Sequence, residues 1–143
     1  VSATADAAEH HRQLAAKLAL QQGQVVQEIG WDEDCDEGLR VAVEQVTGSS
    51  LVDEDYDDVV DAVLLWWRDG DGDLVDALVD ALGPLADGGV IWLLTPKAGR
   101  PSHVEPSDIG EAAPTAGLSA TSSVAAAADW SGTRLVAPRS ARR

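Results

Sequence analysis

Val59-Val60-Asp61-Ala62-Val63-Leu64-Leu65-Trp66-Trp67 is the stretch on which the fold turns. Asp61 aside, every position is apolar, so the run shows neither the alternation of a half-wet strand nor the polar stripe of a surface helix. Short, continuous apolar patterning marks a central parallel strand, because helices cover both of its faces. Adjacent Trp66 and Trp67 then point to opposite faces and cannot form one stacking platform.

Outward from this strand the signals alternate. On its C-terminal side Asp73 is an N-cap for a helix over residues 74–82, with Leu74, Leu78 and Leu82 in one stripe and Asp73, Asp76 and Asp80 on the wet side. Gly83-Pro84 ends that helix, Gly88-Gly89 turns the chain, and residues 90–94 read as a second buried strand closed by Pro96. A loop over 97–105 leads to a short helix at 107–113, and residues 121–127 and 130–136 read as an edge hairpin around Ala128-Asp129. On the N-terminal side a helix over 9–20 precedes a strand at 25–29. A helix over 34–46 follows, with Cys35, Leu39, Ala42 and Val46 on one face, and then a short strand at Leu51-Val52. This order predicts an α/β fold: an open, mainly parallel Rossmann-like sheet with helices on both faces and a C-terminal antiparallel hairpin. Residues 1–137 are expected to form one domain and 138–143 a basic, flexible tail.

Charge is distributed unevenly. The 143 residues hold 25 acids and 10 Lys plus Arg, a net charge of −15. Residues 28–87 contain 19 acids against only Arg40 and Arg68, whereas residues 88–143 are net positive by two and end in Arg139, Arg142 and Arg143. A field of this sign disfavours nucleic acid and anionic lipid and attracts basic protein surfaces, with weak nucleic-acid contact left to the arginine tail. A single cysteine excludes an intramolecular disulfide, the apolar runs are too short for a membrane span, and residues 1–9 lack the basic start of a signal peptide. The expectation is a soluble, cytoplasmic protein.

Two segments resemble strands of the class I methyltransferases: Val60-Asp61-Ala62-Val63-Leu64-Leu65 their central D-x-V-L-L strand, and the residues from Leu82 to Trp92 their helix, glycine turn and following strand. Taken whole, the chain is similar to actinobacterial members of the domain-of-unknown-function family 3052, through residues 25–31, 64–73, 91–97 and 130–136. The resemblance implies a degenerate Rossmann-like domain. It implies further, for some relatives, a transcription regulator linked to oxidative stress that works with a sigma factor and senses redox through paired cysteines. Cys35 stands alone, so that intramolecular switch is absent here.

The candidate sites follow from the loops. A cofactor-binding turn after the first strand needs glycines so that backbone amides can approach the ligand. Here Gly30 is followed by Trp31, Asp32, Glu33, Asp34, Cys35, Asp36 and Glu37, a loop that repels phosphate and suits the carboxylate of a methyl donor little better, and no cofactor is expected. Those acids, with Asp53, Glu54 and Asp55, form a candidate partner-binding surface, and Trp31 and Trp130 are expected to be its exposed anchors. Lys97 joins the candidates because ligands bind at the carboxyl ends of parallel strands, as do Arg139, Arg142 and Arg143. Cys35 is a redox candidate, although neighbouring acids disfavour its thiolate and its spacing suggests an inert, core-facing side chain. Asp69 to Asp73, with Asp80, resembles the start of an EF-hand loop, but Leu74 stands where glycine is required. His10, His11 and His103 have no zinc-ligand spacing, no metal is expected, and no nucleophile motif is present. These readings favour a non-enzymatic, transcription-associated regulator whose acidic surface contacts RNA polymerase or a sigma factor. The alternative is a methyltransferase-like enzyme or a small-ligand sensor on a degenerate Rossmann fold.

Overall fold

The computed structural model describes residue 13 and residues 16–137. In chain order the elements are β1 (Val26–Ile29), α1 (Glu37–Thr47), β2 (Val60–Trp66), α2 (Leu74–Leu82), β3 (Leu85–Pro96), α3 (Pro106–Thr115), β4 (Ser119–Ala125) and β5 (Trp130–Val136). They build a five-stranded sheet in the order β1-β2-β3-β5-β4, with β1, β2 and β3 parallel and β5 antiparallel to both of its neighbours. The predicted α/β architecture with a terminal antiparallel hairpin is the one observed. Half of the helix expected over 9–20, and the tail with Arg139, Arg142 and Arg143, lie outside the described residues.

β2 is central and its burial explains its composition. Ala62, Leu64 and Trp66 face a core layer with Leu39, Ala42 and Val43 of α1, while Val63 and Leu65 face a second layer with Leu78 and Ala81 of α2 and Ile109, Ala112 and Ala113 of α3. Trp66 and Trp67 fall in opposite layers, as adjacent strand residues must. Each fully buried leucine or valine of these layers contributes about 2 kcal/mol, so the helices are held chiefly by their apolar faces. Their caps add about 1 kcal/mol each: Asp36 accepts the Leu39 amide at the start of α1, and Asp73 accepts the Asp76 amide at the start of α2.

Several boundaries differ from expectation. α1 begins at Glu37 rather than 34 because Asp36, not an earlier acid, reaches the amide three residues on, which leaves Cys35 in the preceding loop and outside the helix's first turn. β3 begins at Leu85 rather than 90. Gly88 and Gly89 do not turn the chain but sit in an irregular stretch, where Val60 pairs with Leu85 and Ala62 already pairs with Val90. β4 begins at Ser119, two residues early, because Gly117 in the left-handed region (φ +89°) ends the helical path. Leu51-Val52 is reduced to one parallel bridge, Val52 to Gln27.

Candidate functional site

The carboxyl ends of β1 and β2 meet at Gly30. Its left-handed conformation (φ +82°) brings the backbone so near β2 that a Cβ would collide with the Trp66 carbonyl oxygen. The Gly30 amide donates to Glu54 Oε2 at 3.0 Å, and its carbonyl accepts from Arg68 Nη1 at 2.8 Å. Arg68 then forks onto Asp34, Nε to Oδ2 at 3.0 Å and Nη2 to Oδ1 at 2.5 Å, and lies 5.3 Å from the Trp130 ring centroid. The guanidinium holds the Asp34 carboxyl below the usual aspartate value, chiefly by hydrogen bonding, and Asp34 in turn raises Arg68.

Behind this point lies a polar core that the sequence did not reveal. Glu28 is buried on the α1 face of β1, accepts from Arg40 Nε at 2.6 Å and Nη2 at 2.9 Å, and takes a further hydrogen bond from Trp66 Nε1 at 2.9 Å. Only the presence of Glu28 inside a strand and of Arg40 in an acidic region hinted at the pairing.

On the opposite face a groove of about 570 Å³ lies between β1 and α2, lined by Gly30, Glu54, Gln27, Ile29, Leu65 and Ala77 among others. Its outer wall is the acidic segment after Val52. That segment is tied to β1 by Val52 N to Val26 O at 3.0 Å, Glu28 N to Val52 O at 2.8 Å and Gln27 Nε2 to Asp53 O at 3.1 Å.

The proposed acidic surface is only partly free. Asp34, Asp36 and Glu37 are engaged with Arg68, the α1 cap and Arg40, while Asp32 and Glu33 are exposed. In the second cluster Glu54 holds the Gly30 amide, Asp53 accepts the Asp55 amide and Asp55 is exposed. Trp31 is exposed (52%), with the Arg40 guanidinium 5.8 Å from its ring. Trp130, by contrast, is buried rather than an exposed anchor: it packs edge to face on Trp66 at 4.8 Å and donates to Asp34 O, because β5 runs next to β3 instead of lying at the sheet edge. Lys97 follows Pro96 at the end of β3, half-buried, and does not line the groove. Cys35 is half-buried and accepts hydrogen bonds from the Asp32 amide and Arg68 Nη2, both at 3.3 Å; burial, more than the neighbouring acids, pushes its thiol up. Asp71 and Asp73 are used locally, accepting the Arg68 and Asp76 amides. Among the described residues no helix is long and apolar enough to cross a membrane.

A family model described as protein of unknown function DUF3052 matches residues 15–139. The chain belongs to this family. An uncharacterized protein of Mycobacterium tuberculosis is 59% identical over 137 residues, covering 96% of this chain and 86% of the relative, and an uncharacterized protein of Mycobacterium bovis matches equally. Among solved structures, the DUF3052 chain is similar to a SAM-dependent methyltransferase from Aquifex aeolicus (TM-score 0.60, 11% identity, 88% of each chain). It is also similar to the pyocyanin biosynthetic protein PhzM (TM-score 0.62, 16% identity), where it covers 89% of itself but spans about half, 54%, of that chain. Identities this low establish the fold, a Rossmann-like fold shared with methyltransferases. They correct the expectation that the chain is not an enzyme, since the solved proteins of this fold include SAM-dependent methyltransferases and the architecture gives no ground for excluding catalysis. A link of the family to transcription is not among these similarities.

Proposed function

We propose that this protein binds an S-adenosyl ligand at the carboxyl ends of β1 and β2 and acts in methyl transfer. The observation that carries the reading is Glu54. It follows a β–α–β unit formed by β1, α1 and the parallel bridge at Val52, and holds the Gly30 amide from 24 positions away. In Rossmann units an acid about 20 residues beyond the glycine turn accepts the ribose hydroxyls. The donor set suits this ligand and rejects nucleotides. Glu54, Asp57 and Asp71 line the site and would repel a pyrophosphate, whereas they favour a sulfonium cation. Arg68 and Asp34, now paired with each other, are the complement of an amino-acid carboxylate and ammonium. Bound there, the ligand would supply an electrophilic methyl group, and the chain's part is to bind, orient and shield it.

Isothermal titration with S-adenosylmethionine, which carries the sulfonium charge, tests the reading. Saturable binding that Glu54→Gln weakens, with no heat from NAD, supports it; the absence of binding by the wild-type protein overturns it.

A second reading rests on exposed Trp31 with exposed Asp32 and Glu33 beside it. Such an aromatic residue in an acidic rim suits docking on a basic protein surface, of the kind RNA polymerase or a sigma factor would offer in line with the family resemblance. Trp31→Ala should abolish salt-sensitive co-purification of such a partner; retention of the partner by this variant counts against the reading.

A further inference from the structure

A second pocket, of about 280 Å³, lies at the carboxyl end of β3 between α3 and the antiparallel part of the sheet, and it shares no residue with the groove beside α2. Its floor carries four hydroxyls from three strands: Thr95 of β3 opposite Ser131 of β5, and Thr133 of β5 opposite Ser123 of β4. Facing residues on adjacent strands stand about 5 Å apart and alternate residues along a strand about 7 Å apart, so the hydroxyls form a zigzag array and not one cluster. Thr95 is only 3% exposed, and its hydroxyl bonds to no described residue. It is not sealed, however. Among the described residues the one side-chain atom that is both closed off and unpaired is Gln27 Oε1, so the Thr95 hydroxyl opens onto the pocket it lines. Ser123, Ser131 and Thr133 likewise make no side-chain hydrogen bond to a described residue.

The lining selects the ligand's charge. No Asp, Glu, Lys or Arg lines the pocket, and His103 is engaged at both ring nitrogens, 2.8 Å from the Pro96 carbonyl oxygen and 3.2 Å from Glu105 Oε2. A cation would find no carboxylate, and an anion would face Glu105 and Asp108 at the start of α3. A purely apolar ligand would leave the Thr95 hydroxyl buried without a partner. The roof, by contrast, is apolar: Val104, Pro106 and Ile109, with open space at Gly110, where a Cβ would meet nothing within 4 Å. We infer that this pocket binds a small uncharged polyol of the monosaccharide class. Its hydroxyls, spread over a carbon ring, exchange hydrogen bonds with Thr95, Ser131, Thr133 and Ser123, each of which both donates and accepts. Its C–H face packs beneath Val104 and Ile109. A primary amide is the poorer match, because it gathers its donors and acceptor at one end and reaches one pair of these hydroxyls at most.

NMR titration of the isotope-labelled full chain with D-ribose and, separately, with D-glucose tests the inference. Saturable shifts of the Thr95, Ser131 and Thr133 amides with at least one sugar are expected, and the tighter sugar sets the ring size. Thr95→Val keeps the shape, removes the hydroxyl and should weaken that binding about tenfold. Gly110→Leu puts a side chain into the open space and should abolish it, while melting no lower than wild type because leucine favours a helix interior over glycine. Thr95→Val alone decides if Gly110→Leu does not fold. Inorganic phosphate at equal ionic strength should leave the same amides unmoved. No saturable shift with either sugar, an equal response to phosphate, or an affinity unchanged in Thr95→Val overturns the inference. The methyl-donor reading rests on other residues and would survive that failure.

Discussion

Glu28 and Arg40 meet fork to fork between β1 and α1, at 2.6 and 2.9 Å, with the glutamate side chain only 8% exposed. Deleting one partner of such a pair strands the other charge, at a cost of about 3–5 kcal/mol, whereas replacing both with apolar residues is often close to neutral. Arg40→Leu should therefore lose about 3 kcal/mol in urea unfolding, the lower end because Arg40 is about a quarter exposed. The double variant Glu28→Leu with Arg40→Leu should recover only part of that loss, because it leaves the buried Trp66 Nε1 without its acceptor. Additive losses would show that the pair does not act as a unit.

Gly30 and Gly48 have the same left-handed backbone, φ +82° and +81°, but different surroundings. Gly48 caps α1 with open space around it, so Gly48→Ala should cost about 1–2 kcal/mol for conformation alone. Gly30→Ala adds a collision with the Trp66 carbonyl oxygen and should exceed that loss by at least about 1 kcal/mol, read from chemical unfolding of the two variants side by side.

Asp34 sets an acid limit on the β1–β2 junction. Its folded-state pKa is depressed by Arg68, so its contribution is complete above the ordinary aspartate value of 3.8 and is lost as pH falls through the lower folded value. Asp34→Asn should thus melt below wild type at neutral pH, and the two should converge under strongly acidic conditions. Because the Asp34 side chain is 54% exposed, the gap should be modest and should shrink with added salt. A gap that persists at low pH would assign it to packing.

Cys35 should alkylate slowly. Burial raises its thiol, so less thiolate is present at neutral pH than in the unfolded chain. Iodoacetamide labelling of the native protein should lag that of the protein in urea, and native labelling should accelerate only as pH rises above the ordinary thiol range. Equal rates in the two states would contradict this.

Local chemistry was legible where one residue decides an element. α2 runs over the residues predicted for it because Asp73 caps it and Gly83 ends it, and β2 was identified because its burial on both faces excludes alternation. α1 was misplaced by three residues because several neighbouring acids compete as caps and only backbone geometry selects Asp36. Trp130 was misjudged because its partner, Trp66, is set by strand order and not by neighbouring sequence. The site at the strand ends was half legible. Gly30 and the acids were recognised, but Arg68 as a clamp, Glu28 as a buried acid and Gln27 as an unsatisfied carbonyl depend on long-range packing that leaves no local mark.

The single bridge at Val52 has a kinetic consequence. The strip of chain that closes one side of the groove hangs from β1 by a few backbone and amide contacts and buries few apolar side chains, unlike the strands it adjoins. Segments held this way exchange their amides through small local openings, at a fraction of the free energy of global unfolding. One wall of the groove therefore opens ahead of the sheet, whose twin core layers stay closed.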